Sequence, residues 1–266
     1  MASVPSQPSR NVFRLHVRPT IRTYVRSLRG SRPISCAPVC GRFTSSSPPD
    51  VVAAYFDAAI RETLAEPSWN VAPTDGVHAV LEAEDQRWLD VLRWGLVPWW
   101  SKDTRAAARM INARAETLSS KPAYREAFEK RRCIIPADGF YEWRVLDDGK
   151  SKQPYFIRRG DGDPMAFAGL GAIWRTPDDG RLRTCSIVTT KANDAVAPLH
   201  DRMPVILPPA AWDAWLDPGN WDTVTLARLL VPAPAELLTA YPVSDLVNSV
   251  RNNGPELIAE AAPLPS

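Results

Sequence analysis

The sequence lacks the features that mark several common protein classes. Its four cysteines form no Cys-X-X-Cys pair, which argues against a zinc ribbon and against a disulfide scaffold. A reducing cytoplasm is the simplest compartment for such a chain. No apolar run reaches the roughly 18 residues that a membrane span requires. Nothing repeats, and no metal or organic cofactor is indicated. These absences favour an ordinary globular protein, as does the composition of 45% hydrophobic and 23% charged residues.

Acidic residues and lysine are absent from residues 1–39, which contain seven arginines. Of the 32 Lys and Arg residues in the chain, 25 remain after residue 39, against 30 Asp and Glu, so the net charge of that part is −5. The body of the protein therefore has no general basic field. If it binds nucleic acid, it must do so through a local groove.

Three interpretations of residues 1–39 stay open: a basic arm for nucleic acid or membrane, an organelle transit peptide, and upstream sequence translated from a start codon placed too early. Pro19 and Pro33 break any long helix. Val39 favours the third interpretation, because a valine codon can serve as a bacterial start that is read as methionine. Methionine is removed before a small residue, so the mature chain would begin at Cys40. We expect residues 1–39 to be a disordered extension that arises from a misplaced start or is removed.

The remaining pattern predicts an α+β fold, with a single domain around a largely antiparallel, barrel-like β-sheet and flanking helices. Residues 68–76 are expected to form a loop. We place the domain at 40–256 and a loose, proline-rich tail at 257–266. The predicted helices are 48–60, 121–130, 209–216 and 223–230. The predicted strands are 77–83, 88–100, 131–145 with interruptions at Pro136 and Gly139, 153–159, 165–174, 182–190 and 203–208.

A cysteine at the first position of a chain has special chemistry, because its thiol and free α-amine lie on neighbouring carbons. Ordinary pKa values of about 7.7–8 for the amine and about 8.5 for the thiol leave both groups partly nucleophilic near neutral pH. An aldehyde forms a Schiff base with the amine, and the thiol then adds to the imine and closes a thiazolidine ring. The alternative for Cys40 is a small buried hydrophobic residue near a strand start.

The chain from Cys40 onward resembles the SOS-response-associated peptidase (SRAP) family, which includes bacterial and animal abasic-site-processing proteins. The family begins with Met-Cys-Gly-Arg-Phe, and Val39 stands where that methionine belongs, as a valine start codon would produce. Nine motifs occur in the family's order within residues 40–258: CGRF (40–43), NVAPT (70–74), WGLVPWW (94–100), NARAET (112–117), RRCIIPADGFYEW (131–143), FAGL (167–170), VTT (188–190), HDRMP (200–204) and VRNNGPELI (250–258).

The resemblance implies a protein that binds single-stranded DNA at abasic sites, whose ring-opened sugar exposes an aldehyde. Cys40 would form a thiazolidine crosslink there and shield the lesion in the DNA damage response. Asn112 would hold the N-terminus and the crosslink by hydrogen bonds, and Arg114 would hold a phosphate beside the lesion. Glu142 and His200 resemble the family's acid–base pair, and both residue types suit proton transfer near neutral pH. Without the motifs, Glu142 would be a strand carboxylate paired with an arginine, and His200 a structural histidine.

Contacts with DNA are expected from local features. Trp99 and Trp100 follow a proline at the end of a predicted strand, where they would stack on bases. Asn70 and Pro73 are expected to wedge against a base at the lesion. The alternatives are a solvated arginine face and tryptophans that close the core. Five arginines are predicted to contact phosphates: Arg42, Arg105, Arg109, Arg114 and Arg202. Packing in the core is expected instead for Cys133, Cys185, Trp143, Trp174, Trp212 and Trp215.

Two other functions stay open. One is a cysteine-type peptidase in which Cys40, His200 and a carboxylate act on peptides, and the other is a single-stranded DNA-binding module without chemistry. The family is also associated with an abasic-site lyase activity, with reversal of the crosslink and with self-cleavage that frees the cysteine. If residues 1–39 are translated, cleavage between Val39 and Cys40 is required, because an acylated amine cannot form an imine. We expect a monomer without membrane partners in the bacterial cytoplasm, associated with the nucleoid when acting.

Overall fold

The computed structural model describes residues 40–61 and 64–264, so the expected extension at residues 1–39 lies outside the described residues. In this part of the chain, no helix is long and apolar enough to cross a membrane. The elements in chain order are β1 (Phe43–Ser45), α1 (Pro49–Tyr55), β2 (Ala59–Ile60), β3 (Ser68–Val71), β4 (Gly76–Ala83), β5 (Gln86–Trp94), β6 (Asn112–Arg114), α2 (Pro122–Lys130), β7 (Arg132–Ala137), β8 (Gly139–Val145), β9 (Lys152–Arg159), β10 (Met165–Arg175), β11 (Arg181–Lys191), β12 (Arg202–Pro204), α3 (Trp212–Leu216), α4 (Thr223–Arg228) and β13 (Leu238–Pro242).

Five strands close into a barrel. Strands β11, β10, β7, β4 and β5 are neighbours in that order and pair antiparallel, and a parallel contact between β5 and β11 completes the ring. Along one edge of β11 lie β10 and then β12, and along its other edge lie β5 and then β6. The expected α+β fold with a barrel-like, largely antiparallel sheet is confirmed.

A second, antiparallel sheet packs against the barrel in the order β13, β9, β8, β1 and β3. Its strand β1 joins the two sheets through Phe43, which pairs with Phe140 of β8 and with Val71 of β3. The ring of Phe43 also lies edge-on to Trp94 at 5.0 Å and to Phe167 at 6.1 Å, both of which belong to barrel strands. The residues before Phe43 are therefore held where the two sheets meet.

Alternate residues of the barrel strands face two different hydrophobic clusters, as the period of a strand requires. On β7, Cys133 and Ile135 pack in the same cluster as Cys185, whereas Ile134 packs with Phe128 of α2. Both cysteines are buried, in agreement with their expected place in the core. Among the tryptophans that were assigned to the core, Trp174, Trp212 and Trp215 are buried and Trp143 is half-buried.

Three predicted boundaries were wrong for identifiable reasons. The loop expected at residues 68–76 begins with β3, because that segment pairs with β1. The strand expected at residues 88–100 ends at Trp94. Gly95 has a φ of +125°, and a Cβ there would lie 2.6 Å from the carbonyl oxygen of Ala107, so only glycine fits this turn. The first helix ends at Tyr55, and the following residues turn into β2.

The tail expected to be loose is held against the second sheet as far as the structure describes it. Val243 and Glu260 form a β-bridge, and the amide of Ala261 donates to the carbonyl of Pro242 at 2.9 Å. The amide of Leu264 donates to the side chain of Gln153 at 2.6 Å.

Arg132 joins two helix ends beneath the barrel. Its side chain is buried, and it has no carboxylate partner among the ion pairs of the described residues. Carbonyl oxygens at the ends of helices carry partial negative charge, which compensates the buried guanidinium. The guanidinium donates to the main-chain carbonyls of Phe128, Glu129, Trp215, Asp217 and Asn220 at 2.5–2.9 Å.

Candidate functional site

Cys40 and Glu142 meet because β1 pairs with β8. The amide of Tyr141 donates to the carbonyl of Arg42 at 3.1 Å, which extends the antiparallel ladder toward the residues that precede β1. The main-chain nitrogen of Cys40 then donates to Oε1 of Glu142 at 2.7 Å. Both residues are buried, with 0% of Cys40 and 3% of Glu142 exposed. The structure thus places the nitrogen of the predicted nucleophile directly on the predicted acid–base carboxylate.

Burial sets the protonation states of this pair. It raises the pKa of Glu142 to about 8, with a further contribution from the negative charge of Asp201, while the hydrogen bond from the Cys40 nitrogen opposes the rise. Burial, and then the charge of Glu142, raise the pKa of the Cys40 thiol well above its ordinary value. The carboxyl can therefore give or take a proton near neutral pH, whereas the thiol stays protonated.

His200 is the second acid–base residue and lies in the segment that leads into β12. It is buried, and its Nδ1 accepts a hydrogen bond from the amide of Arg202 at 3.1 Å. The same Nδ1 lies 2.8 Å from Oδ1 of Asp201. Nδ1 therefore lies between a main-chain donor and a carboxylate acceptor, which together hold the imidazole ring in place. Because Asp201 also raises the pKa of Glu142, the structure brings Glu142 and His200 into one electrostatic group.

Asn112 and Arg114 enter the site on β6. Asn112 pairs with Ile187 and Arg114 with Thr189 in the parallel register of β6 and β11. The carbonyl of Asn112 accepts a hydrogen bond from the hydroxyl of Tyr124 at 3.1 Å, which fixes the start of the strand. The side chain of Arg114 is exposed at the end of β6. This position leaves the guanidinium accessible to a phosphate.

Arg202 lies across β11 from Arg114, at the start of β12. It pairs with Lys191 in the antiparallel register, so two cations face each other across the strands. The guanidinium of Arg202 also makes a two-pronged ion pair with Glu116, at 3.1 and 3.0 Å. The positive charges of Arg202 and Arg114 therefore act on one carboxylate at the end of β11.

Arg42 and Asn70, two of the predicted DNA contacts, bind the C-terminal loop of the protein itself. Arg42 donates to Oδ1 of Asn70 at 2.7 Å and to the carbonyl of Val247 at 2.9 Å. The amide of Asn70, which is buried, donates to the carbonyls of Val247, Ser249 and Asn252. Their predicted contacts with DNA remain predictions. Pro73 lies in the turn after β3 and is half-buried.

The loop between β5 and β6, residues 95–111, carries four of the predicted DNA contacts, and we call it the crossing loop. Trp99 and Trp100 are 64% and 47% exposed, and their rings stand edge to face at 5.5 Å. Arg109 is exposed at the end of a 3₁₀ helix. Arg105 is also exposed and is bound to Asp103 at 2.8 Å. The 3₁₀ helix covers only Ala107–Arg109, so Arg105 and Arg109 do not lie on one helix.

The crossing loop is firmly attached although its aromatic residues face solvent. The amide of Val97 donates to the hydroxyl of Thr184 at 3.0 Å, and the indole of Trp174 donates to the carbonyl of Ser101 at 2.7 Å. Exposed aromatic side chains on an anchored backbone can stack on bases at little conformational cost. The loop therefore suits the binding of an unpaired strand.

Two residues of the site were not singled out in the sequence. Asp201 contacts His200, and Glu116 contacts Arg202. Both lie inside the matched motifs HDRMP and NARAET, so attention to acidic residues next to the predicted cations could have found them. Within residues 40–61 and 64–264, no group of three or more His, Cys, Asp and Glu side chains is placed to hold a metal ion.

Comparison with known proteins gives a consistent result. The model of the family "SOS response associated peptidase (SRAP)" matches residues 39–250. The abasic site processing protein YoqW of Bacillus subtilis is 47% identical over 222 residues, which are 83% of this chain and 99% of that protein. The abasic site processing protein HMCES of Rattus norvegicus is 30% identical, over 84% of this chain and 76% of that protein.

Solved structures agree with the fold. A crystal structure of a protein from Bacteroides thetaiotaomicron superposes with a TM-score of 0.75 at 27% identity, over 84% of this chain and all of that one. A phage-related protein from Bordetella bronchiseptica superposes with a TM-score of 0.61 at 33% identity, over 77% of this chain and 94% of that one.

Proposed function

Because this chain belongs to the SOS response associated peptidase (SRAP) family, we propose that it captures abasic sites in single-stranded DNA as a covalent thiazolidine at Cys40. The observation that carries the proposal is the hydrogen bond of 2.7 Å between the main-chain nitrogen of Cys40 and the buried carboxyl of Glu142. Once this nitrogen is a free amine, the carboxyl group that can give it a proton or take one from it is already within hydrogen-bond distance.

The reaction needs one aldehyde, one amine and one thiol and releases one water. The amine nitrogen attacks the aldehyde carbon and gives a carbinolamine, which loses water to form an imine. The thiol sulfur then bonds to the imine carbon, and its proton passes to the nitrogen. Because burial keeps the Cys40 thiol protonated, the amine reacts first, and the thiol closes the ring on the imine within the same residue.

Glu142 and His200 have complementary roles in this sequence. The carboxyl of Glu142, whose pKa burial raises, can protonate the leaving hydroxyl of the carbinolamine and accept a proton from the attacking amine. His200 would be the second group that moves protons, with its ring held at Nδ1 by the amide of Arg202. The same two groups would serve hydrolysis of the imine or removal of a proton in β-elimination, so lyase and reversal activities belong to this site.

Strand binding is assigned to the crossing loop and to the end of β11. Trp99 and Trp100 provide stacking surfaces, and Arg109 and Arg114 provide cations for neighbouring phosphates. Asn112 would orient the N-terminus from the strand that ends at Arg114. A body with a net charge of −5 after residue 39 favours this local mode over general attraction.

The mechanism requires a free amine at Cys40, so residues 1–39 must be absent from the active protein. Intact mass of protein purified from its native gene tests this requirement. A chain that begins at Cys40 is expected. Active protein that still carries Val39 in amide linkage would contradict the proposal.

Crosslinking to an abasic oligonucleotide without borohydride tests the chemistry. The chain beginning at Cys40 should give an adduct that is stable on a denaturing gel, and Cys40→Ala should give none. Cys40→Ser keeps the amine, so it should give an adduct only when borohydride traps the imine. Cys133→Ala is the matched control, because Cys133 is a buried core cysteine whose pKa burial raises to about 12, and it should crosslink normally.

The two alternative functions predict different outcomes. A binding module without chemistry would retain the oligonucleotide after Cys40→Ala but would form no covalent adduct in any variant. A peptidase would cleave peptides whether or not an aldehyde is present. Either result, with no adduct from the Cys40-initiated chain, would refute the crosslinking proposal.

A further inference from the structure

The guanidinium of Arg202 is held by two residues of the protein itself, Glu116 and Thr189. Its Nη1 and Nη2 bind the two oxygens of Glu116 at 3.1 and 3.0 Å. Nη2 also donates to the carbonyl of Thr189 at 2.6 Å, and Nε lies 3.3 Å from the hydroxyl of Thr189. The contacts with Thr189 fix the orientation of the guanidinium on β11, so that its outer edge faces the carboxylate. The Arg202 side chain is only 12% exposed, whereas that of Glu116 is 48% exposed.

The surroundings of Glu116 are those of an anion-binding position. Lys191 stands opposite Arg202 across the strands, an arrangement that is unfavourable unless an anion lies between the charges. Burial would raise the pKa of Glu116, but the hydrogen bond from Arg202 and the charges of Arg202 and Arg114 outweigh burial and hold the pKa below its ordinary value. Glu116 is therefore an anion held by two cations, Arg202 and Arg114.

A carboxylate that binds a guanidinium through both oxygens has the geometry of a phosphodiester on the same guanidinium. Arg202 is also a neighbour of the predicted acid–base residue, because its main-chain amide donates to Nδ1 of His200 at 3.1 Å. We propose that Glu116 is a built-in phosphate mimic, which occupies the phosphate position on Arg202 until the DNA backbone displaces it. This inference rests on the proposed function and identifies Glu116 as a residue that sets its selectivity.

The physical consequence is a threshold on binding. A phosphate that reaches Arg202 must first break the pair with Glu116, and the released carboxylate then lies near the incoming backbone. Undamaged single strands bear this cost without compensation, whereas a strand with an abasic site recovers it through the covalent bond at Cys40. Glu116 thus weakens non-productive binding more than it weakens capture of the lesion.

Equilibrium binding of an undamaged, dye-labelled single strand tests the proposal by fluorescence anisotropy. We expect Glu116→Gln and Glu116→Ala to bind roughly two- to fivefold more tightly, the range that corresponds to an ion pair of this exposure. The dependence of log K on log salt should also become steeper, by up to about 0.7, because Arg202 can then neutralise one further phosphate of the strand. A merely structural role for Glu116 would give weaker binding and no such change in slope.

The tighter binding of the Glu116→Gln protein should disappear when the negative charge is removed from the DNA backbone. With an undamaged oligonucleotide whose phosphates are replaced by neutral methylphosphonates, wild-type and Glu116→Gln proteins should bind equally. Asp161→Asn is the matched control. Asp161 makes a similar two-pronged ion pair with Arg159, at 2.9 and 2.5 Å. Arg159 is the last residue of β9, whereas the residue of β9 that pairs with Glu142 is Tyr155. The Asp161→Asn substitution changes the net charge equally and should leave binding unchanged.

The outcomes separate this inference from the proposed function. If the wild-type protein crosslinks the abasic strand but Glu116→Gln binds undamaged DNA no more tightly than wild type, the mimic is refuted and the function stands. If Asp161→Asn produces the same gain, net charge explains the effect and the mimic is again refuted. If the wild-type protein neither binds nor crosslinks, the proposed function fails and this inference fails with it.

Discussion

Replacing Glu142 with glutamine is expected to stabilise the protein, and to do so increasingly as the pH rises. Burial holds the pKa of Glu142 at about 8, against 4.5 for an ordinary glutamate. Between these values the folded protein keeps a proton that the unfolded chain has lost. A glutamine at this position would keep the oxygen that accepts the hydrogen bond from the Cys40 nitrogen, so the substitution removes the ionisation and little else.

The magnitude follows from linkage between protonation and folding. The native state binds one more proton than the unfolded state between about pH 5 and pH 7.5, so the free energy of unfolding should fall by about 1.4 kcal/mol per pH unit. The stabilising contribution is complete below the unfolded pKa and is lost as the pH rises through the folded pKa. Over the whole interval from 4.5 to about 8, the loss amounts to at most about 5 kcal/mol.

Urea unfolding of wild-type and Glu142→Gln proteins across this pH interval measures the effect. Both proteins should carry residues 1–39, so that the nitrogen of Cys40 is an amide in each. The difference between their free energies of unfolding should be small near pH 5 and should grow toward pH 8. Glu126→Gln is the control, because Glu126 is exposed and paired with Arg131, and its difference from wild type should not grow with pH.

Parallel curves for wild-type and Glu142→Gln proteins would refute the reasoning, because they would mean that Glu142 ionises in the folded protein as it does in the unfolded chain. A second comparison sharpens the test. In a chain that begins at Cys40, the ammonium group would lie beside Glu142 and favour the ionised carboxylate. The pH-dependent difference should therefore be smaller in that chain.

Three further predictions concern strand binding and stability. Trp99→Ala and Trp100→Ala should each weaken binding of undamaged single strands by about 1–3 kcal/mol in anisotropy measurements, and unchanged affinity would remove the crossing loop from the interface. Arg132→Met should lower the free energy of unfolding, measured in urea, by at least about 3 kcal/mol, because five carbonyl oxygens lose their hydrogen-bond donor. A loss below about 1 kcal/mol would show that water replaces the guanidinium as the donor. Gly139→Ala should cost about 1–3 kcal/mol, since its Cβ would lie 2.3 Å from the ring of Phe156 and 2.7 Å from the main-chain carbonyl oxygen of Ile157. A neutral effect would show that both the ring and the backbone of β9 can shift at no cost.

The sequence predicted best those elements whose signals are local. The helix at 121–130 has proline at its first turn and an apolar face, and the structure has it at Pro122–Lys130. The end of β5 could not be predicted in this way. Gly95 turns the chain because the carbonyl of Ala107, twelve residues later, leaves no room for a side chain. That constraint belongs to the tertiary structure.

In the candidate site, too, the sequence shows local signals but not the contacts between residues that are far apart in the chain. The contact between Cys40 and Glu142 spans 102 residues, and no periodic pattern indicates it, so the resemblance to a family was needed to connect them. Residue type also failed to distinguish two kinds of arginine. Arg114 is exposed, whereas Arg42 binds the loop at Val247. Both are equally cationic in the sequence, and only the position of their acceptors separates them.

The crossing loop leaves and rejoins the barrel at almost the same point. The amide of Gly95 donates to the carbonyl of Cys185, and the carbonyl of Ile111 accepts from the amide of Ile187, two residues along β11. A segment whose two ends are fastened this close together can be exchanged for another of different length without shifting any strand. Residues 102–106, between the anchors at Ser101 and Ala107, are thus a natural cassette for protein engineering, in which a foreign recognition sequence could be grafted while the anchored ends of the loop stay in place.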